Sequence, residues 1–170
     1  MMSSSFRHSA QLPIDQFNRV EARRALLRDA LSDDEGVRAE FVAAADRSGD
    51  PSYLPLVRRI DPEGPAVRRL QIALGAFTTG QLVDALAEQW DAMCAERWIA
   101  DEGLTRSAHC AISTARIALG EGEPRTVRVV LTALGVNTGS ARGRGVRLEA
   151  HEMVRALLEA LEGRLRPAQS

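Results

Sequence analysis

The sequence predicts an all-α fold, and three observations carry that expectation. Apolar residues recur at gaps of three and four along almost the whole chain. No five-residue run combines strict apolar–polar alternation with β-branched enrichment, so there is no strand signal. Caps, prolines and glycines stand between the helical runs, where helices start and stop. The 170 residues, 45% of them apolar, suffice for one domain that buries about two-thirds of its unfolded surface without a disulfide or metal staple. The expected organisation is a flexible segment over 1–11, one irregular bundle of about seven to eight helices over 12–162, and a flexible tail over 163–170.

The elements follow in order. Pro13 suits a first helical turn, and Phe17, Val20, Leu27 and Leu31 mark one side of a helix ending near Leu31. Ser32-Asp33-Asp34-Glu35 has the spacing of a capping box with the serine as cap, opening a helix that buries Val37, Phe41 and Val42 and stops at Ser48-Gly49. Asp50-Pro51 caps a short helix with Leu54, Val57 and Ile60 inward, and Asp61 to Pro65 forces a turn. Val67, Leu70, Leu74 and Phe77 form the stripe of the next helix. Thr78 or Thr79 caps the longest one, about Gln81 to Ala100, which is lined by Leu82, Leu86, Trp90 and Met93 and closed by Gly103. Trp90 and Trp98, eight residues apart, fall on one side of it as core residues.

A sixth helix runs from about Thr105 to Leu119 with Ala108, Ile112, Ala115 and Leu119 inward, and Gly120 stops it. Pro124 and Gly135 bracket a seventh, buried through Val127, Val130, Leu131 and Leu134. Three glycines in Gly139 to Gly145 predict a mobile loop with no packing role. Val146 to Leu161 closes the domain as a helix with Met153, Leu157 and Leu161 inside.

Composition excludes several classes. The longest apolar stretches are far short of the roughly 20 residues that cross a bilayer, and the start MMSSSFRHSAQLP lacks the apolar core of a signal peptide. Two cysteines outside any CxxC point to a reducing cytoplasm. A tetrahedral zinc set would need Cys94, His109, Cys110 and His151, which lack paired spacing. His109 and Cys110 are adjacent, about 100° apart on a helix, and so poorly placed as a base–nucleophile pair. His151-Glu152 lacks the second histidine of HExxH, and the glycine-rich loop lacks the lysine and hydroxyl of a P-loop. Glu35, Glu88, Asp91 and Glu96 read as solvated faces. The sequence therefore predicts no catalysis, no metal and no cofactor.

All 22 basic residues are arginine. A GC-rich genome would produce this usage whatever the function. Arginine is also the side chain that contacts phosphate in bidentate geometry. Pro124 to Leu148 holds Arg125, Arg128, Arg142, Arg144 and Arg147 and no acid, whereas Asp84 to Glu102 has six acids against Arg97 alone. The neutral total thus conceals a charge separation. The five arginines are the candidate nucleic-acid-binding residues. ARIALG followed by RTVRVVL echoes a helix-turn-helix, with a connection, GEGEP, about two residues too long.

PAVRRLQIALGAFTTG at Pro65 and PRTVRVVLTALGVNTG at Pro124 form a faint repeat about 60 residues apart. The stretch GDPSYLPLVRRIDPEGPAVRRLQIALGAF, residues 49–77, resembles a HEAT-type helix pair. That resemblance implies a stacked scaffold for other proteins, although no second full repeat follows. The expectation is a non-enzymatic cytoplasmic binding protein, a small subunit or accessory protein of a nucleoprotein assembly. It would contact RNA or DNA without sequence specificity and pack on a protein partner or a second copy, with no membrane role. The alternative is a HEAT-like adaptor without nucleic-acid binding.

Overall fold

The computed structural model describes residues 6–167, with side chains from Asp15 onward. Helices α1 (Phe6–Ala30), α2 (Glu35–Ser48), α3 (Leu54–Ile60), α4 (Pro65–Ala76), α5 (Thr79–Ala95), α6 (Glu102–Gly120), α7 (Pro124–Ser140) and α8 (Leu148–Leu165) follow one another. A 3₁₀ turn, Pro51–Tyr53, precedes α3, and the described residues hold no strand, only two isolated bridges. The all-α bundle expected from the sequence is therefore the fold. None of its helices is long and apolar enough to cross a membrane, among the described residues.

Helix α5 lies at the centre because its sequence is apolar on more than one side. Leu82, Val83, Leu86, Trp90 and Met93 are all fully buried, and α1, α6, α8 and the 3₁₀ turn pack around them. Helices α2, α3 and α4 close one side, and α6, α7 and α8, each folded back on the one before, form the other. At the start of α5, Thr78 accepts from the Gln81 amide at 3.1 Å while the Gln81 side chain accepts from the Thr78 amide at 2.8 Å, a complete capping box.

Several boundaries differ from the expectation. Of the expected flexible start, residues 1–5 lie outside the described part, and α1 begins at Phe6, so Pro13 is inside the helix. Phe17, expected inward, is 63% exposed. The cap of α2 is Asp34, which accepts from the Gly36 and Val37 amides, while Ser32 accepts from the Asp34 amide. Helix α8 runs on to Leu165, where Arg164 donates to the Leu74 and Gly75 carbonyls at 2.7 and 3.0 Å and also to the Phe77 carbonyl. It thereby satisfies the orphan carbonyls at the end of α4. Residues 168–170 lie outside the described part.

The largest departure is at the end of α5, which stops at Ala95 rather than Ala100. Arg97 takes φ 59, the Trp98 amide donates to the Met93 carbonyl at 2.8 Å, and the Arg97 amide donates to the Cys94 carbonyl at 3.0 Å. This is a Schellman end with arginine in the position that glycine usually fills. Trp98 therefore leaves the helix and does not share a face with Trp90, although both are buried.

A polar node joins α1, the 3₁₀ turn and α5. Arg23, 14% exposed, pairs with Asp50 at 2.7 Å and Glu88 at 2.9 Å, and its guanidinium stands 5.8 Å from the Tyr53 ring centroid. Buried Gln89 donates to buried Ser52 at 2.8 Å. Because these groups are partly exposed, removing one partner costs less than the about 3–5 kcal/mol of a fully buried pair.

Two predictions follow from these features. Burial, opposed in part by Arg23, pushes the Tyr53 phenol up to about 12. The neutral phenol is thus favoured by the folded state, and that contribution is complete below pH 10 and lost as pH rises toward 12. Tyr53 is the chain's one tyrosine. Ultraviolet titration is expected to show it ionising well above 10, together with loss of helical circular dichroism. A normal, reversible ionisation near 10 in folded protein would contradict this. Arg97→Gly relieves the left-handed strain and is expected to raise stability by about 1 kcal/mol in urea denaturation.

Candidate functional site

The candidate arginines are placed by α7, the following loop and the start of α8. Helix α7 runs through Gly135 to Ser140, six residues beyond Leu134, the last helical residue expected from the sequence. The faint repeat shows why. Thr78 ends the earlier segment by making a box with Gln81, but the residue three after Thr138 is Ala141, which cannot complete one. Thr138 instead stays helical, buried, and donates to the Leu134 carbonyl at 2.7 Å. Gly135 and Gly139, one turn apart, face α8. A Cβ at Gly135 would stand 3.2 Å from Leu158 Cδ1, and one at Gly139 would stand 3.6 Å from His151 Nε2. Gly75, the counterpart of Gly135, meets nothing within 4 Å.

The loop expected to be mobile has a packing role. Val146 is 2% exposed. The Ala100 amide donates to the Gly145 carbonyl at 2.7 Å and the Arg147 amide to the Trp98 carbonyl at 2.8 Å, which ties the loop to the segment after α5. Gly143 and Gly145 take φ 78 and 105, so these glycines serve turn geometry.

This divides the five arginines into two groups. Arg125 and Arg128 lie near the start of α7, and Arg142, Arg144 and Arg147 lie beyond its end. From Arg128 to Ser140, the end of α7, is about 18 Å at the helical rise. All five are exposed. Arg147 is engaged within the fold, 5.8 Å from the Trp98 ring centroid and 3.5 Å from Glu149. Arg144 donates to the Ser140 carbonyl at 3.1 Å. Arg125, Arg128 and Arg142 have no ion-pair partner among the described residues.

The acidic half of the expected charge separation is mostly consumed inside the molecule. Glu88 takes Arg19 and Arg23, Glu96 takes Arg24 and Arg28 at 2.9 Å each, and Asp84 takes Arg116. Glu88 and Glu96, expected on solvated faces, have side chains only 21% and 12% exposed. Burial pushes the Glu96 carboxyl up, but the bonds from Arg24 and Arg28 outweigh it and hold the group below its ordinary value. Sequence reading missed these pairs because they join residues 32 to 72 apart.

Between α7 and α8 lies a trough of about 300 Å³, lined by Arg128, Thr132, Val136, His151, Arg155 and Leu158 among others. Burial first, then the charges of Arg142 and Arg155, keep His151 below the ordinary histidine value. The sequence signal for this trough was the four-residue spacing of Gly135 and Gly139, which lets two helices approach closely.

The residues considered for chemistry are dispersed. His109 Nε2 lies 2.9 Å from Asp91 Oδ1, and Cys94 Sγ lies 3.3 Å from Thr105 Oγ1. Burial, chiefly, holds the Cys94 thiol above its ordinary value, which disfavours the thiolate. No group of three or more metal-ligating side chains assembles among the described residues. Comparison with protein-family models, curated proteins and solved structures yields no match to the chain. The HEAT-type resemblance of residues 49–77 rests on a single hairpin, α3 packed on α4.

Arg147→Ala is expected to lower stability by about 0.5–1 kcal/mol through loss of the Trp98 contact. Arg142→Ala and Arg144→Ala are expected to leave it within about 0.5 kcal/mol. Thermal or urea denaturation of the three variants checks this.

Proposed function

We propose that the chain is a non-enzymatic binding protein that contacts nucleic-acid phosphates through Arg125, Arg128, Arg142 and Arg144, with Arg147 holding the loop that carries two of them. The supporting observation is the pairing pattern. Nine arginines outside this segment, from Arg19 to Arg166, are paired with carboxylates. The four proposed contacts have no carboxylate partner among the described residues. Arg38, Arg47, Arg58, Arg68, Arg97, Arg106 and Arg164 also lack one but are distributed over other elements. The length of α7 between the two arginine groups matches about five phosphate steps of one duplex strand. Such contacts track a backbone and carry no sequence code.

Within this reading the chain is a small subunit or accessory protein of a nucleoprotein assembly in a reducing cytoplasm. The unpaired thiols Cys94 and Cys110 agree with that compartment. A protein-binding adaptor is the second reading. The exposure of Ile117, Val129 and Val136 on α6 and α7 favours it.

Fluorescence anisotropy with 20-nucleotide single-stranded RNA, single-stranded DNA and duplex, at two salt concentrations, tests the proposal. Binding is expected at low salt and is expected to weaken as salt rises. Replacing Arg125, Arg128, Arg142 and Arg144 together by alanine is expected to weaken binding and reduce the salt slope by up to about 0.9 per lost duplex contact. No binding at low salt, or an unchanged slope in the fourfold variant, would overturn the proposal in favour of the adaptor.

A further inference from the structure

The trough between α7 and α8 has the composition of a small-ligand site. Its volume of about 300 Å³ lies at the lower end for such sites. Leu131 and Val136 on α7 and Val154, Leu158 and Leu165 on α8 supply apolar walls. Its lining residues extend from His151 to Leu165, about 21 Å along α8. A helix about 10–12 Å in diameter would occupy roughly 1,600 Å³ over that length, several times the volume of the slot. A single medium-length hydrocarbon chain is of the right bulk.

The charges in the slot decide which chain. Its two carboxylates are each already paired, Glu159 with Arg155 at 2.8 Å and Glu162 with Arg166 at 3.2 Å. Arg155 is thereby used as well. Arg128 lines the same slot and has no carboxylate partner among the described residues, so one cation stands beside an apolar channel. The complement to that arrangement is an apolar chain with one anionic end. At the other end of the slot, His151 is disfavoured from taking a proton by its surroundings and adds no second fixed charge.

We infer that the α7–α8 slot binds a medium-chain amphiphilic carboxylate, its chain on Leu131, Val154 and Leu158 and its carboxylate on Arg128. This binding does not depend on the nucleic-acid reading, and its test contains no nucleic acid.

Isothermal titration of the full chain with decanoate, acetate and 1-decanol, at neutral pH and below the micellar range, tests the inference. Decanoate is expected to bind, acetate not to bind, and 1-decanol to bind at least tenfold more weakly than decanoate. Arg128→Ala is expected to weaken decanoate at least tenfold, and Thr132→Trp, at the exposed edge of the slot, is expected to abolish binding. Arg142→Ala with Arg144→Ala is expected to leave decanoate affinity unchanged. Helical circular dichroism and a cooperative melt establish that each variant is folded. No heat with decanoate, equal affinity for decanol, or unchanged affinity in Arg128→Ala would each overturn the inference. The Arg128 variant lies on the surface, so the inference stays testable if Thr132→Trp fails to fold.

Discussion

The structure depends on the burial of α5. A helix with Leu82, Val83, Leu86, Trp90 and Met93 spread over more than one side cannot rest on a single neighbour. Each such side chain contributes about 1.5–3 kcal/mol when removed from water, as an upper figure because the unfolded chain is already partly collapsed. That driving force is satisfied only when α1, α6, α8 and the 3₁₀ turn close around α5 together. The same burial forces Gln89 out of water, so Ser52 must be brought to it, and Asp50 and Glu88 beside it call for Arg23. The packing of four elements and the polar node are one requirement expressed twice.

Closing α1 onto α5 also fixes the distribution of charge. Glu88 on α5 and Glu96 just past its end meet the arginines of α1, and Asp84 on α5 meets Arg116 on α6. Without a comparable acidic face, α7 and its loop leave Arg125, Arg128, Arg142 and Arg144 without carboxylate partners among the described residues. The neutral formal balance of −1 therefore hides a partition that arises from helix pairing and not from composition. It is this partition, more than the abundance of arginine, on which the proposed phosphate contacts rest.

The α7–loop–α8 segment shows how glycine acts in two ways within eleven residues. Gly135 and Gly139 permit close approach of α8, and Gly143 and Gly145 supply left-handed turns. The last two let the chain reverse and place Val146 in the core, while the backbone bonds to Trp98 and Ala100 hold the loop. The trough runs along that same α7–α8 contact, with Gly135, His151 and Leu158 among its lining, and Val136 and Thr138 line it because α7 did not end at Gly135.

What the sequence determined by itself was the helical class, the order of the helices and most of the core. Those follow from local propensity and from the three-and-four spacing seen in Val127, Leu131 and Leu134 or in Leu82, Leu86 and Trp90, all of which are buried. The caps at Thr78 and Asp50 were legible for the same reason, since each acts within three residues. Legible too were the five exposed arginines as a run without acids. The tertiary structure alone decided that Arg97 takes a left-handed turn, that Glu88 and Glu96 are internal ion-pair partners, and that Gly135 is a packing residue rather than a stop. Each of these depends on a neighbour distant in sequence, because the free energy that pays for strain, desolvation or close approach comes from the partner helix and leaves no mark on the residues beside it.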